Sequence, residues 1–482
     1  MIRIYLDWSV VSNLKRPEQK KLKEFIEDHK DYLQFPFSPA HFTDLMKSFS
    51  MSNEYFYQDL ETLEYLSEKH LIRWENNRTN ALFVTPKKYF EGEKNQEDIF
   101  TLMDMEKVTS ELDKACETIG LGKLGGLMKS LFRLQPAGIE VNEENRDILQ
   151  KMFPNITSNT SMWDLMKDIK PFSKNLLQNR EYYKDIRKSL RDKGFKIESN
   201  SGNWNEEEVV KNIDNLLESL GTKMTFLEYV ESSFKHRKKP VNRYEFFTTA
   251  YLMLDMIGYK SDKLPKPTDN MQNIQTDGEH AFYGAHCDYF VVGDKNLRTK
   301  SKVLYNKFNV PTQVLTPNDL VESLEKVIHK IPAKTDDFLR EAISFVDSDR
   351  IVESYPSSDD IEAETYALKL PLYYFNFFNY IVYRYYPTQE GIVLTFKKVF
   401  KNYSDFIFYT ESERLIDRIT TFFGYDDKEV LDKKKKEFVY ENIDTQFIWN
   451  FKGGQIRLEK DSETRRPTLS YLISTKENKK SD

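Results

Sequence analysis

Residues 276–297 read TDGEHAFYGAHCDYFVVGDKNL, and their pattern sets the fold class. Thr276 and Glu279 have the spacing of a capping box, in which the threonine hydroxyl accepts from first-turn amides and the glutamate reaches back. A helix is therefore expected to start at Thr276, with Asp277 in its first turn. Ala281, Gly284 and Ala285 are small enough to let that helix press on a sheet, and Tyr289 to Val292 is a run of strand formers. The run stops at Gly293-Asp294, which delivers Asp294 to the carboxyl edge of a sheet, where open α/β sheets bind their ligands.

The amino terminus repeats the arrangement. MIRIYLDWS is a first strand that ends in Asp7, with Ser9 two residues on. Residues 33–44, LQFPFSPAHFTD, form another strand-to-helix junction, with Ser38 as N-cap, Pro39 at the first helical position and Asp44 about one turn inside. Asp7, Asp44, Asp277 and Asp294 thus fall at comparable points of strand-helix units. Gathered in space, such carboxylates repel one another unless a divalent cation sits between them, and hard oxygen ligands suit Mg²⁺ or Mn²⁺. Read singly, each acid has a plainer role: Asp7 as an N-cap, Asp44 on a solvated helix face, Asp277 beside a helix dipole, Asp294 in a turn.

The segments IYLDWS, FSPAHFTDL and the run from Asp277 through CDYFVVGDKNL together resemble the PIN-like domain. That is the fold of many metal-dependent ribonucleases, toxin nucleases of prokaryotes among them. The family places one acid after the first strand, one in the helix after the second strand, one in a later helix and one after the following strand. By motif order these are Asp7, Asp44, Asp277 and Asp294. Asp44 stands where the family often has Glu, and Ser9 where it commonly has Asn or Thr. The likeness covers roughly residues 1–85 and 240–318.

The resemblance implies an α/β fold, a PIN-like parallel sheet flanked by helices. It also implies an endoribonuclease that hydrolyses RNA, single-stranded or structured, with Mg²⁺ or Mn²⁺ held by those four acids, the setting being a toxin, a defence effector or RNA processing. Two other classes share the pattern: a PIN-like scaffold without turnover, serving as an RNA-binding or protein-interaction module, and a structure-specific DNA nuclease. His41, one turn before Asp44, is placed to support the site from behind. Glu279 and Asp288 are lesser ligand candidates, and Lys295 is equally a candidate phosphate contact and a plain surface lysine. His280, His286 and Cys287 are poorly spaced for zinc and are expected in structural roles.

The whole chain sets wider bounds. Its 482 residues are 39% hydrophobic and 31% charged with a net charge of -6, so binding of nucleic acid has to rest on local basic patches. No run of about 18 apolar residues occurs, which argues against a membrane span. The opening strand leaves no apolar core for a signal peptide, and the two cysteines, Cys116 and Cys287, fit a reducing compartment; a cytoplasmic location is expected.

The expected domains are 1–85 (PIN-like, first part), 86–235 (a large helical insertion), 236–318 (PIN-like, second part) and 319–482 (an additional α+β C-terminal domain). Within the insertion, Gly120-x-Gly122-x-x-Gly125 has dinucleotide-fingerprint spacing but follows a helical run, and reads as a helix connection. The basic run KHRKK at 235–239 reads as a solvated face or, alternatively, as a phosphate-contacting patch beside the acids. Residues 324–346 read as a helix. Residues 361–386, with LPLYYFNFFNYIVYRYY, read as a core helix or one facing a protein partner or a second copy, with a base-stacking surface as the alternative. Residues 446–474 read as an antiparallel meander turning first at Lys452-Gly453-Gly454, and the polar tail 475–482 as disordered.

Overall fold

IRIYL is the sequence of a strand covered on both faces, since all but one of its residues are apolar or aromatic. In the computed structural model, which describes residues 1–50, 52–93 and most of 141–474, it forms β1 (Ile2–Leu6), and every one of its side chains is buried. β1 pairs with β2 (Leu33–Gln34) on one side and with β5 (Tyr289–Val291) on the other, with β6 (Gln313–Leu315) beyond β5; all pairings are parallel. Past β2, Phe37 carries the parallel pairing on to β3 (His70–Glu75), donating its N–H to His70 O at 2.9 Å and accepting from Ile72 N at 2.8 Å. β3 turns back as β4 (Arg78–Phe83) through Asn76-Asn77, whose φ values of 54° and 60° suit a type I′ hairpin.

The order β2-β1-β5-β6 has a physical consequence. The chain lays one strand on one side of β1 and later returns to the other side, so the carboxyl ends of β1 and β5 form the switch point of the sheet.

The chain divides into two compact units: Met1–Pro86 with Tyr283–Asp294 and Phe308–Asp482, and Lys87–Phe282 with Lys295–Lys307. The second contains, among its described residues, the helices Arg180–Asp192, Val209–Ser219, Phe226–Ser232, Arg243–Met256 and Lys295–Lys307, and most of Met271–Gly284. The glycine motif at 120–125, the basic run at 235–239 and the tail lie outside the described residues.

The first unit also holds a seven-stranded antiparallel sheet, in the order β11-β12-β13-β10-β9-β8-β7. Its strands are β7 (Ile351–Tyr355), β8 (Glu364–Tyr374), β9 (Phe378–Tyr386), β10 (Gly391–Lys397), β11 (Phe447–Phe451), β12 (Gly454–Lys460) and β13 (Pro467–Ser474). One face is covered by the helices Tyr409–Phe423 and Lys428–Val439, whose Leu415, Ile416 and Phe438 share a core with Leu368, Ile381 and Phe396. The meander at the carboxyl end is as expected, and Gly453 turns it with φ of 96°.

Three expectations are corrected. Within the stretch 361–386, residues 364–386 are not a helix but the β8-β9 hairpin, turned by Phe375-Asn376 with φ of 52° at both. His329 clamps that turn: its N–H donates to Asn376 Oδ1 at 2.7 Å and its Nδ1 accepts from Phe375 N at 3.0 Å. Residues 324–346 are split into Pro317–Val327 and Thr335–Ser344, with Pro332 in the break, where a helix cannot continue. The helix expected to start at Thr276 spans Met271–Gly284 instead. Asn270 opens it, its side chain accepting from Asn273 N at 3.3 Å, and the Thr276 hydroxyl donates to Gln272 O at 2.9 Å as a mid-helix residue does.

Arg3 joins the two sheets of the first unit. Its wholly buried guanidinium donates to Glu411 at 3.0 and 2.6 Å, to Phe406 O at 2.7 Å and to the Ser404 hydroxyl, between the rings of Phe400 and Phe406. At the same amino edge of the parallel sheet, Asp288 accepts from Arg3 N at 2.8 Å and from the Lys398 ammonium at 2.9 Å. No helix among the described residues is long and apolar enough to cross a membrane.

Candidate functional site

The carboxyl edge of the parallel sheet has the opposite character from its amino edge. Asp7 follows β1 directly, is 5% exposed, and donates its N–H to Val291 O on β5 at 2.9 Å. Its carbonyl accepts from Val10 N and Val11 N at the start of the helix Trp8–Asn13, yet its side chain makes no capping bond. The carboxylate instead accepts a hydrogen bond from the Ser9 hydroxyl. Capping therefore does not account for the acid. Ser9 also explains Gly293: a Cβ there would stand 3.2 Å from Ser9 Oγ, so glycine lets the end of β5 lie close beside the Asp7–Ser9 pair. Asp294 comes next and is exposed.

Asp44 lies in the helix Pro39–Met46, which starts as its sequence predicts. Pro39 is at the first position, and His41 Nδ1 accepts from Ser38 N at 3.1 Å in a capping box. With that nitrogen an acceptor, His41 Nε2 carries the proton and donates to Leu6 O at 2.9 Å, which ties the helix to the residue before Asp7. His41 thus positions the strand end. The Asp44 carboxylate meets Lys47 Nζ at 2.6 Å, an i,i+3 pair with the lysine half exposed. Pairs of that kind contribute about 0.5 kcal/mol and are readily exchanged for another partner.

Asp277 belongs to the second unit and sits mid-helix, not in a first turn. There it is one of three acids around the buried Lys300. The ammonium meets Asp255 at 3.0 Å and Asp262 at 3.4 Å, above the ring of Tyr251 at 4.6 Å. Burial alone would lower the Lys300 pKa, but Asp255, Asp262 and Asp277 outweigh it and hold the pKa above the ordinary lysine value. Asp255 further accepts from the Tyr183 hydroxyl at 2.9 Å and Arg187 at 3.0 Å. Lys300→Met leaves the buried Asp255 with one cation fewer, and a loss of about 3 kcal/mol is expected in urea unfolding. Adding Asp255→Asn should recover much of it; a single variant as stable as the parent would show the network to be passive.

The remaining candidates have structural partners. Glu279 meets Gln275 Nε2 at 3.4 Å and takes no part in a cap, and Asp288 is engaged at the amino edge. His286 Nε2 lies 3.0 Å from the Thr79 hydroxyl, His280 is wholly buried, and burial pushes the Cys287 thiol pKa up. Lys295 is exposed in the second unit. Sequence reading passed over Gly293 as a packing residue and over Asp255, Asp262 and Lys300 altogether. Only the small residue before Asp294 could have signalled the first.

Among the described residues no group of three or more His, Cys, Asp and Glu side chains is gathered closely enough to hold a metal ion by itself. Mg²⁺ does not require one. It retains several waters and is commonly held by one or two carboxylates together with substrate phosphates, and the oxygens of Asp7 and Asp294 are hard donors of that kind. The edge thus offers one buried, oriented carboxylate and one exposed carboxylate on neighbouring strand ends. Compared with family models, with curated proteins and with solved structures, the chain finds no match.

Proposed function

We propose that the chain is a PIN-like, metal-dependent endoribonuclease whose reaction centre is the switch point between β1 and β5. The observation that carries this reading is the arrival of Asp7 and Asp294 at the carboxyl ends of the two strands flanking that point. In this reading Ser9 holds one oxygen of Asp7, His41 fixes the strand end through Leu6 O, and Asp44 is drawn from Lys47 when a cation and a phosphodiester arrive. A bound Mg²⁺ or Mn²⁺ supplies Lewis-acid stabilisation of the phosphate and a water of lowered pKa. Asp7 and Asp294 orient the nucleophile and neutralise nothing on their own, so cleavage requires the divalent ion.

The test uses the full chain, labelled single-stranded RNA and a matched DNA. Cleavage of RNA with Mn²⁺ that stops on adding EDTA and returns on restoring the metal is the expected result. Equal cutting of the DNA would move the reading to a DNA nuclease. Cleavage indifferent to EDTA would sink the metal-dependent centre. The Asp44–Lys47 pair favours a second reading, a scaffold that binds RNA without turnover; RNA retention with no cleavage under any metal would establish it.

A further inference from the structure

At the amino edge of β5 and β6, the end of the parallel sheet away from the acids, lies a cavity of about 350 Å³. Its size falls in the range of small-molecule sites, roughly 300–1,000 Å³. One wall is an interruption in the antiparallel sheet. β8 and β9 pair as far as Lys369 and Tyr380, then lose register until Tyr374 meets Phe378, so that residues 370–373 stand opposite Asn379 alone. Pro371 lies in this stretch and has no N–H to give a ladder. Bulges of this sort re-aim side chains and recur beside sites.

Asn379 makes good the lost pairing. Its side chain accepts from Val399 N at 2.8 Å and donates to Val399 O at 2.9 Å, pinning the segment that brings Phe400 to the cavity. The rings of Tyr289, Tyr373 and Tyr380 complete an aromatic lining.

The charges are unequal. Asp288 is on the wall, but the Lys398 ammonium pairs with it and the Arg3 N–H donates to it. Lys369 is exposed, lines the cavity, and forms no ion pair among the described residues. It stands directly across the ladder from Tyr380, which places a cation and an aromatic ring side by side on one face. A cationic ligand would meet Lys369 and find Asp288 already occupied, and a purely apolar one would leave the lysine unused. We propose that this cavity binds a flat aromatic anion of nucleoside monophosphate size, the base against the rings and the phosphate on Lys369. The site stands apart from the proposed reaction centre and does not rest on it.

The experiment titrates the full chain, with EDTA present, against AMP, adenosine and inorganic phosphate by calorimetry. Saturable binding of AMP is expected, with adenosine weaker by about tenfold, the size of one charge-assisted contact. Lys369→Glu should bring AMP down to the level of adenosine without altering the circular dichroism, since the residue is exposed. Tyr380→Ala should weaken AMP and adenosine alike. Failure of AMP to saturate at millimolar concentration overturns the proposal, as does equal affinity for AMP and adenosine, or AMP binding that survives Lys369→Glu unchanged.

Discussion

Asp7→Asn is expected to lower Mn²⁺-dependent RNA cleavage by about a thousandfold, corresponding to about 4 kcal/mol of lost transition-state stabilisation. Asparagine keeps the shape of the side chain and an oxygen for the Ser9 hydroxyl, so the end of β1 and its bond to Val291 O should persist. What disappears is the negative charge. The thermal midpoint should therefore move by only a few degrees while activity collapses, and raising Mn²⁺ should restore part of it. Asp294→Asn, at an exposed position, should show the same pattern with no stability change at all. A variant at Asp7 that cuts RNA as well as the parent would remove the switch point from consideration as the reaction centre.

The second large effect concerns folding. Glu411→Ala strands the wholly buried guanidinium of Arg3, and a destabilisation of about 4 kcal/mol is expected in urea unfolding. The paired replacement Arg3→Met with Glu411→Leu removes both charges and should regain most of the loss. The same pair sets an acid limit. Burial alone would push the Glu411 carboxyl up, but the Arg3 guanidinium and the Phe408 N–H outweigh it and hold the pKa at about 2, against 4.5 for the free group. A group with a depressed folded pKa contributes stability that is complete above its unfolded value and lost as pH falls through the folded one. Stability worth about 3 kcal/mol should thus drain away between roughly pH 4.5 and 2. The doubly apolar variant should lack that portion of the acid dependence, and an unchanged acid profile would show Glu411 to be uncoupled from folding.

How much of this was legible in the chain depended on distance. β1 with Asp7, the helix opened by Ser38 and Pro39 and the Lys452–Gly454 turn are specified by residues a few positions apart, and each was readable. The β8-β9 hairpin was not, because aromatic residues fill both faces of its strands and erase the alternation that marks a strand. The turn between them is held by His329, nearly fifty residues upstream. Thr276 and Glu279 do have capping-box spacing, but a helix already under way from Asn270 overrides it. For the candidate site, Asp7 and Asp294 were visible as acids at strand ends. The assignment of Asp277 to the surroundings of Lys300 was not, since that depends on Asp255 and Asp262 from other segments. Arg3 and Glu411, at opposite ends of the chain, leave no local trace of their pairing.

The strand that carries Asp294 enters the first unit as a short visitor, flanked on both sides by chain that belongs to the second. During synthesis Asp7 and Asp44 emerge early, and Asp294 follows only after the larger piece of the second unit has been made. A nascent or prematurely terminated product ending before residue 289 has β1 and neither β5 nor Asp294 beside it. For a protein that cuts RNA, as proposed, the two carboxylates of the switch point come together only once the polypeptide is well advanced.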